Sequence, residues 1–265
     1  MRKHSQKLSM PVSLGKGLFQ YPFVAWERLK PAIVWRQGQH ALSVGASGTG
    51  KSTVAGEFLP RREQVVVCVS KGMDEIFEGP YYAGREEPYK YEVIHTWKPG
   101  KFKRVLLWPA NQKNLKENRD HKTKIFSEMF DNILLVRGNW CVVIDEEHYM
   151  SEALRLKAEI ADMLEQGRSA GVSMWNNTQR PAGIPLATYV NSQHGFLFQS
   201  QEAYDLDRLA KMANKHTNSK ELGANLDVLE SFDSHELIYL DRTGKIPPVR
   251  SIVKKKGSRN DTRKR

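Results

Sequence analysis

The chain has 265 residues, 40% of them hydrophobic and 27% charged, with a mean hydropathy of −0.57. This composition excludes a wholly disordered chain, and the length fits one large α/β domain or two small ones with a sizeable core. The apolar runs at 65–69, 105–108 and 141–144 fall far short of the roughly 20 residues that cross a bilayer, so no integral membrane segment is expected. The basic residues at 1–7 have no apolar stretch behind them, so no secretory leader is expected either.

Lysine and arginine total 41 against 30 acidic residues, a net charge of +11. Most of the excess lies in two arms. Residues 254–265 hold seven basic residues against one aspartate, and residues 1–7 hold three basic residues. Such arms either neutralise phosphates with counterion release or stay solvated. Two more basic stretches lie inside the domain. One carries Lys98, Lys101, Lys103 and Arg104; the other carries Lys113, Lys116, Arg119, Lys122 and Lys124. Either could track a polyanion or form a polar surface. Cys68 and Cys141 each sit in an apolar run and read as buried free thiols. The cysteines and histidines show no zinc-ligand spacing.

In chain order, the residue pattern predicts strands at 39–44 and 64–70 around a helix at 52–59 that Pro60 stops. A strand follows at 104–108. An amphipathic helix at 122–136 carries Ile125, Phe126, Met129, Phe130 and Ile133 on one face, with Gly138 beyond its end. Then come a strand at 140–144, a helix at 151–166 with Ser151 as N-cap, strands at 171–176 and 195–199, a helix at 204–214, and a terminal β pair at 236–240 and 249–253. This alternation predicts an α/β fold with a mostly parallel sheet and helices on both faces. Three regions follow: a basic, aromatic arm at 1–30, an α/β domain at 31–253, and a basic tail at 254–265. In the first of these, Phe19, Tyr21, Phe23 and Trp26 could stack on an adenine or cover the sheet edge; the cover is the favoured reading.

Residues Gly45, Ala46, Ser47, Gly48, Thr49, Gly50, Lys51, Ser52 and Thr53 match the phosphate-binding pattern G-x-x-x-x-G-K-[ST], after a strand and before a helix. The glycines let successive N–H groups curl around a phosphate, and the helix N-terminus favours the anion. Lys51 is expected to reach the β- and γ-phosphates, and Ser52 to ligate Mg²⁺. Thr53 reads as a first-turn packing residue. ATP with Mg²⁺ is the expected ligand.

The strand at 140–144 runs into Asp145, Glu146 and Glu147. Asp145 is expected as the second metal-holding residue, beside the P-loop strand. Glu146 is the candidate base for the attacking water and Glu147 its rival; the position next to the metal-holding aspartate favours Glu146. A further strand is expected beside Asp145, ending at Thr178, Gln179, Arg180 and Pro181, so that Gln179 can sense the γ-phosphate.

The order P-loop, strand-Asp145-Glu146, then Gly167-Arg168-x-x-Gly171-strand-Thr178-Gln179-Arg180-Pro181 resembles the HerA–FtsK superfamily of DNA-pumping ATPases, and its small viral genome-packaging members most. The resemblance runs from about residue 40 to 253. It implies a RecA-like P-loop core, usually in a hexameric ring, with ATP between subunits and an arginine supplied by the neighbour. Arg168 and Arg180 are the motif-borne candidates for that arginine, with Arg137, Arg155 and Arg208 as others. It also implies DNA, double-stranded by this reading, and capsid or portal-vertex proteins as partners, and a place in the host cytoplasm or the virion. A nucleotide-gated assembly factor and a conventional helicase are the alternatives.

Overall fold

The computed structural model describes residues 12–15, 18–70, 90–136, 138–200, 209, 212, 229 and 231–253. The basic residues at 1–7 and 254–265, Arg137, Arg208 and most of the helix expected at 204–214 lie outside the described residues.

The elements are β1 (Val12–Gly15), β2 (Leu18–Gln20), α1 (Trp26–Ala32), β3 (His40–Val44), α2 (Lys51–Phe58), β4 (Gln64–Cys68), β5 (Glu92–Ile94), β6 (Arg104–Leu107), α3 (Leu115–Val136), β7 (Trp140–Ile144), α4 (Lys157–Gln166), β8 (Ser173–Thr178), α5 (Leu186–Asn191), β9 (Ser192–Phe198), β10 (Glu236–Asp241) and β11 (Val249–Ile252). β1 and β2 pair as a small antiparallel hairpin. The other nine strands form one sheet in the order β11-β10-β9-β3-β8-β7-β4-β6-β5. All neighbours from β9 to β5 are parallel, and the β10–β11 hairpin is added antiparallel at the β9 edge.

A parallel sheet is covered on both faces, so its strands are continuous apolar runs. Val65 and Val67 of β4 join a layer with Trp26, Leu29, Val54 and Phe58 from α1 and α2. Val66 and Cys68 join Phe126, Met129, Ile160 and Met163 from α3 and α4 on the other face. The doubly covered α/β sheet expected from the sequence is therefore present. Under α2, Phe58 lies 5.6 Å from Trp175 and 5.8 Å from Phe196, and these two rings stack at 5.2 Å. Aromatic pairs at such spacing add to the area they bury, and here they fix α2 against β8 and β9. Tyr21 and Trp26 are buried in the core as cover, whereas Phe23 is 59% exposed.

Two boundaries differ from the expected ones. Helix α3 begins at Leu115 rather than at 122, because Asn114 Oδ1 accepts the N–H groups of Lys116 and Glu117 at 3.1 and 3.0 Å. That cap starts a polar first turn with no apolar periodicity to announce it. Ser151 is not an N-cap. It sits inside a π turn, Tyr149–Ala153, closed by Leu154 N–H on the Tyr149 carbonyl at 3.2 Å, and α4 starts only at Lys157.

Two core histidines make stability pH-dependent. Burial pushes the His40 and His194 imidazoles down to about 4. The folded chain keeps them neutral, while the unfolded chain takes up their protons below about pH 6.5. Their contribution is therefore complete above pH 6.5 and is lost as pH falls towards 4. Because Glu147 acts in the opposite sense over this range, the comparison is with a variant: in urea melts at pH 7 and pH 5, His194→Gln should lose less midpoint on acidification than the wild type does.

Candidate nucleotide site

The P-loop leaves the carboxyl end of β3. Its first two N–H groups are engaged by neighbouring strands: Gly45 N–H donates to the Thr178 carbonyl at 3.2 Å, and Ala46 N–H to the Gln199 carbonyl at 3.1 Å. The cradle available to an anion thus begins at Ser47. Thr49 Oγ1 donates to the Ala46 carbonyl at 2.8 Å and closes the loop on itself. Lys51 is buried, and its Nζ donates to the Gly45 and Ala46 carbonyls, both at 2.7 Å. The ammonium is held at the mouth of the loop by acceptors that phosphate oxygens could replace. Ser52 is half-buried on the first turn of α2, and Thr53 is buried.

Two glycines here meet different constraints. A Cβ on Gly45 (φ +154°) would lie 2.6 Å from Phe198 Cβ, whereas one on Gly48 (φ +76°) would meet nothing within 4 Å. Gly45→Ala must displace β9, at a cost of about 1–3 kcal/mol. Gly48→Ala pays only left-handed strain, about 1 kcal/mol. Thermal melts should rank Gly45→Ala as the less stable of the two.

Asp145 follows β7, but β7 is not beside the P-loop strand as expected. β8 lies between them. A buried polar side chain of the intervening strand reaches the acid: Asn177 of β8 donates through Nδ2 to Asp145 Oδ1 at 3.2 Å. Asn177 Oδ1 in turn accepts from Trp175 Nε1 at 3.1 Å. The aromatic cluster under α2 is thereby linked to the carboxylate. Ser52, on the first turn of α2, and Asp145, after β7, are oxygen ligands at the same end of the sheet. Few protein oxygens, completed by water and phosphate, is the set Mg²⁺ favours, so these residues fit that ion. Among the described residues no group of three His, Cys, Asp or Glu could hold a metal.

The two glutamates after Asp145 differ sharply. Glu146 is half-buried. Glu147 is fully buried, and its Oε1 accepts from the Thr188 hydroxyl of α5. Burial, opposed in part by that hydrogen bond, pushes the Glu147 carboxyl up to about 8. At neutral pH it is mostly protonated and faces the core. It lacks the charge and the access a base needs. Gln179 and Arg180 are exposed just beyond β8, at the P-loop end of the sheet. A Cβ on Gly183 would overlap the His148 ring, so the turn after Gln179 packs on the turn after the acids.

Other expected residues lie elsewhere. Arg168 is exposed before β8, at the opposite end of the sheet from the P-loop, so it is not part of this chain's own site. Arg155 is exposed between the π turn and α4 with a φ of +57°. Arg104 is not a surface cation: it is buried, and its guanidinium donates to the Arg62 carbonyl. Lys122 is likewise buried, with Nζ on the Ser70 carbonyl at 2.7 Å. Lys103 pairs with Glu63.

Sequence reasoning missed Asn177, Ser234 and His235. Asn177 had a signal, the second of two adjacent asparagines in a strand that ends at the expected sensor. The other two had none. They reach the P-loop because β10 runs antiparallel beside β9, which brings the residues before Glu236 to the carboxyl ends of the parallel strands. There Ser234 Oγ donates to the Gly48 carbonyl at 3.2 Å, and His235 N–H donates to the Thr49 carbonyl at 2.9 Å.

No protein-family model and no curated protein sequence matches the chain. Solved structures do. The DNA-packaging ATPase B204 of Sulfolobus turreted icosahedral virus superposes with a TM-score of 0.58 at 15% identity, over 83% of this chain and 100% of that one. The genome-packaging NTPase B204 of Sulfolobus turreted icosahedral virus 2, bound to AMPPCP, gives 0.55 at 12% identity, over 82% and 98%. VirB4 of Thermoanaerobacter pseudethanolicus gives 0.56 at 10% identity, over 82% and 90%. The chain therefore has the fold of the B204 packaging ATPases, the α/β architecture to which its P-loop and acid pair pointed.

Proposed function

We propose that the chain is an ATP-driven DNA translocase that packages viral DNA, hydrolysing Mg·ATP at the subunit interfaces of a ring. One observation carries the chemistry. A phosphate loop with a buried lysine and the pair Asp145–Glu146 stand at the same end of one sheet, with Asn177 of the strand between them bonded to Asp145. Lys51 would exchange its loop carbonyls for β- and γ-phosphate oxygens. Ser52 and Asp145 would hold Mg²⁺, which neutralises phosphate charge when bound. Glu146 accepts the proton of the attacking water, and Gln179 orients that water or the γ-phosphate. Arg168, at the far end of the sheet, could act only on a neighbouring subunit's nucleotide.

The two B204 proteins are a DNA-packaging ATPase and a genome-packaging NTPase, and this supports DNA as the cargo. Of the two internal basic stretches, the one at the start of α3 is the better DNA contact. Lys113, Lys116 and Arg119 are exposed and follow β6 at the nucleotide end of the sheet. The stretch before β6 lies at the other end, and Arg104 is buried there. Phosphate contacts of this kind are sequence-independent and weaken with salt. No helix among the described residues is long and apolar enough to cross a membrane.

The test is displacement of a triplex-forming strand from double-stranded DNA. The reading expects ATP-dependent displacement that Lys51→Ala abolishes and that the triple change Lys113→Ala, Lys116→Ala, Arg119→Ala weakens. Displacement that proceeds equally without ATP would contradict it.

A further inference from the structure

We propose that Ser234 and His235 form a clamp that holds the phosphate loop in its anion-binding shape, making them positioning residues for the nucleotide. This rests on the ATPase reading above. The Gly48 and Thr49 carbonyls belong to the two peptides at the crown of the loop. Ser234 Oγ takes the first as acceptor and His235 N–H the second. A peptide whose carbonyl is held outward turns its N–H, on the opposite side of the plane, inward. The clamp therefore sets the direction of the N–H groups that would meet a phosphate.

The side chains fix each other. Ser234 Oγ and His235 Nδ1 are 2.7 Å apart. The single hydroxyl proton is used on Gly48, so Nδ1–H must donate to Ser234 Oγ. The order is then imidazole to hydroxyl to loop carbonyl. His235 also packs on the loop: a Cβ at Gly50 would lie 3.1 Å from His235 Cδ2. Its φ is +72°, a left-handed conformation that costs a residue other than glycine energy. That cost persists where surrounding bonds over-determine it. Here the His235 carbonyl accepts Val253 N–H at 2.9 Å, and Glu236 pairs with Arg250. The clamp is thus the rigid end of the β10–β11 hairpin rather than a loose turn.

A clamp of this kind acts on binding. It removes in advance the ordering that the loop would otherwise undergo when ATP arrives, and a bound phosphate then holds the loop by itself. Losing the clamp should weaken Mg·ATP binding and raise KM, with kcat little changed. The experiment uses the full chain and measures the Kd for Mg·ATP, KM and kcat for Ser234→Ala, Ser234→Thr, His235→Gly and His235→Asn. Ser234→Ala should raise Kd and KM about threefold to tenfold, the range one hydrogen bond supplies, with kcat within about twofold; His235→Gly keeps the N–H on Thr49 and removes only the imidazole that fixes the Ser234 hydroxyl, so its rise should be smaller. Ser234→Thr keeps the hydroxyl, and His235→Asn keeps a donor on a residue that tolerates positive φ. Both should stay close to wild type. Ser234 is exposed, so its alanine variant tests the idea even if a His235 variant misfolds. Ser234→Ala binding as tightly as wild type, or losing kcat at unchanged KM, overturns the clamp while the ATPase reading stands. A wild-type chain that binds no Mg·ATP, like Lys51→Ala, overturns both.

Discussion

Glu146→Gln is expected to lower kcat for ATP hydrolysis by about 10²- to 10⁴-fold, the range a general base supplies, and to leave the folded chain as stable as before. Glu147→Gln should do the opposite. The two residues are adjacent in sequence, and only their surroundings separate them. Glu146 is half-buried at the end of β7, beside Asp145. Glu147 is sealed in the core against Thr188, and burial holds its carboxyl up at about 8. A group whose folded pKa lies above its unfolded value adds most to stability at low pH. That contribution is lost as pH rises from about 4.5, the ordinary carboxylate value, through 8. Gln matches the protonated acid in shape and cannot ionise. Glu147→Gln should therefore gain stability relative to wild type at pH 8 and show little gain at pH 5, with hydrolysis retained. Thermal melts at the two pH values, alongside steady-state kinetics, check both halves. A Glu147→Gln protein that is stable but inactive would exchange the roles of the two residues.

Lys51→Ala should abolish detectable hydrolysis and weaken Mg·ATP binding by at least about 10²-fold. Two charge-assisted hydrogen bonds to phosphate, at roughly 1.5–3 kcal/mol each, supply that much. The fold should survive. Of the two carbonyls that Nζ now occupies, that of Ala46 belongs to an exposed residue, where water can replace the ammonium. Lys51→Arg should not restore activity, because the planar fork does not fit a space shaped for a compact ammonium. Equilibrium titration with Mg·ATP measures the loss. Binding within tenfold of wild type would show that the loop does not hold the phosphates through this side chain.

Much of this site is legible in the sequence because its parts are local. Gly45 to Thr53 is one continuous turn, and the constraint that makes it a phosphate loop acts between neighbours in the chain. The run from Trp140 to Ile144 ends in acids for the same local reason. What stayed hidden is set by sheet order. Nothing in the chain before Asp145 says that β8 will come between it and β3. So the Asn177–Asp145 bond could not be inferred, although two adjacent asparagines in a strand of the sheet were visible in the sequence. The Ser234–His235 contact depends on an antiparallel addition at the sheet edge, far along the chain. Charge patterns misled for a related reason. Arg104 and Lys122 look like surface cations in sequence, but each is buried with its charged head on backbone carbonyls, a use of long side chains that no spacing rule marks. The short elements α1, β5 and α5 were too brief for periodicity to register.

The central claim is that a nucleotide site built on Lys51, Asp145 and Glu146 drives movement on DNA. ATP hydrolysis by the full chain, with and without double-stranded DNA and with Glu146→Gln in parallel, tests it most directly. The account predicts hydrolysis that DNA stimulates strongly, that falls back as salt rises, and that Glu146→Gln abolishes under both conditions. Hydrolysis by the wild-type chain that is indifferent to DNA at low salt would contradict it and favour a nucleotide-gated assembly factor instead.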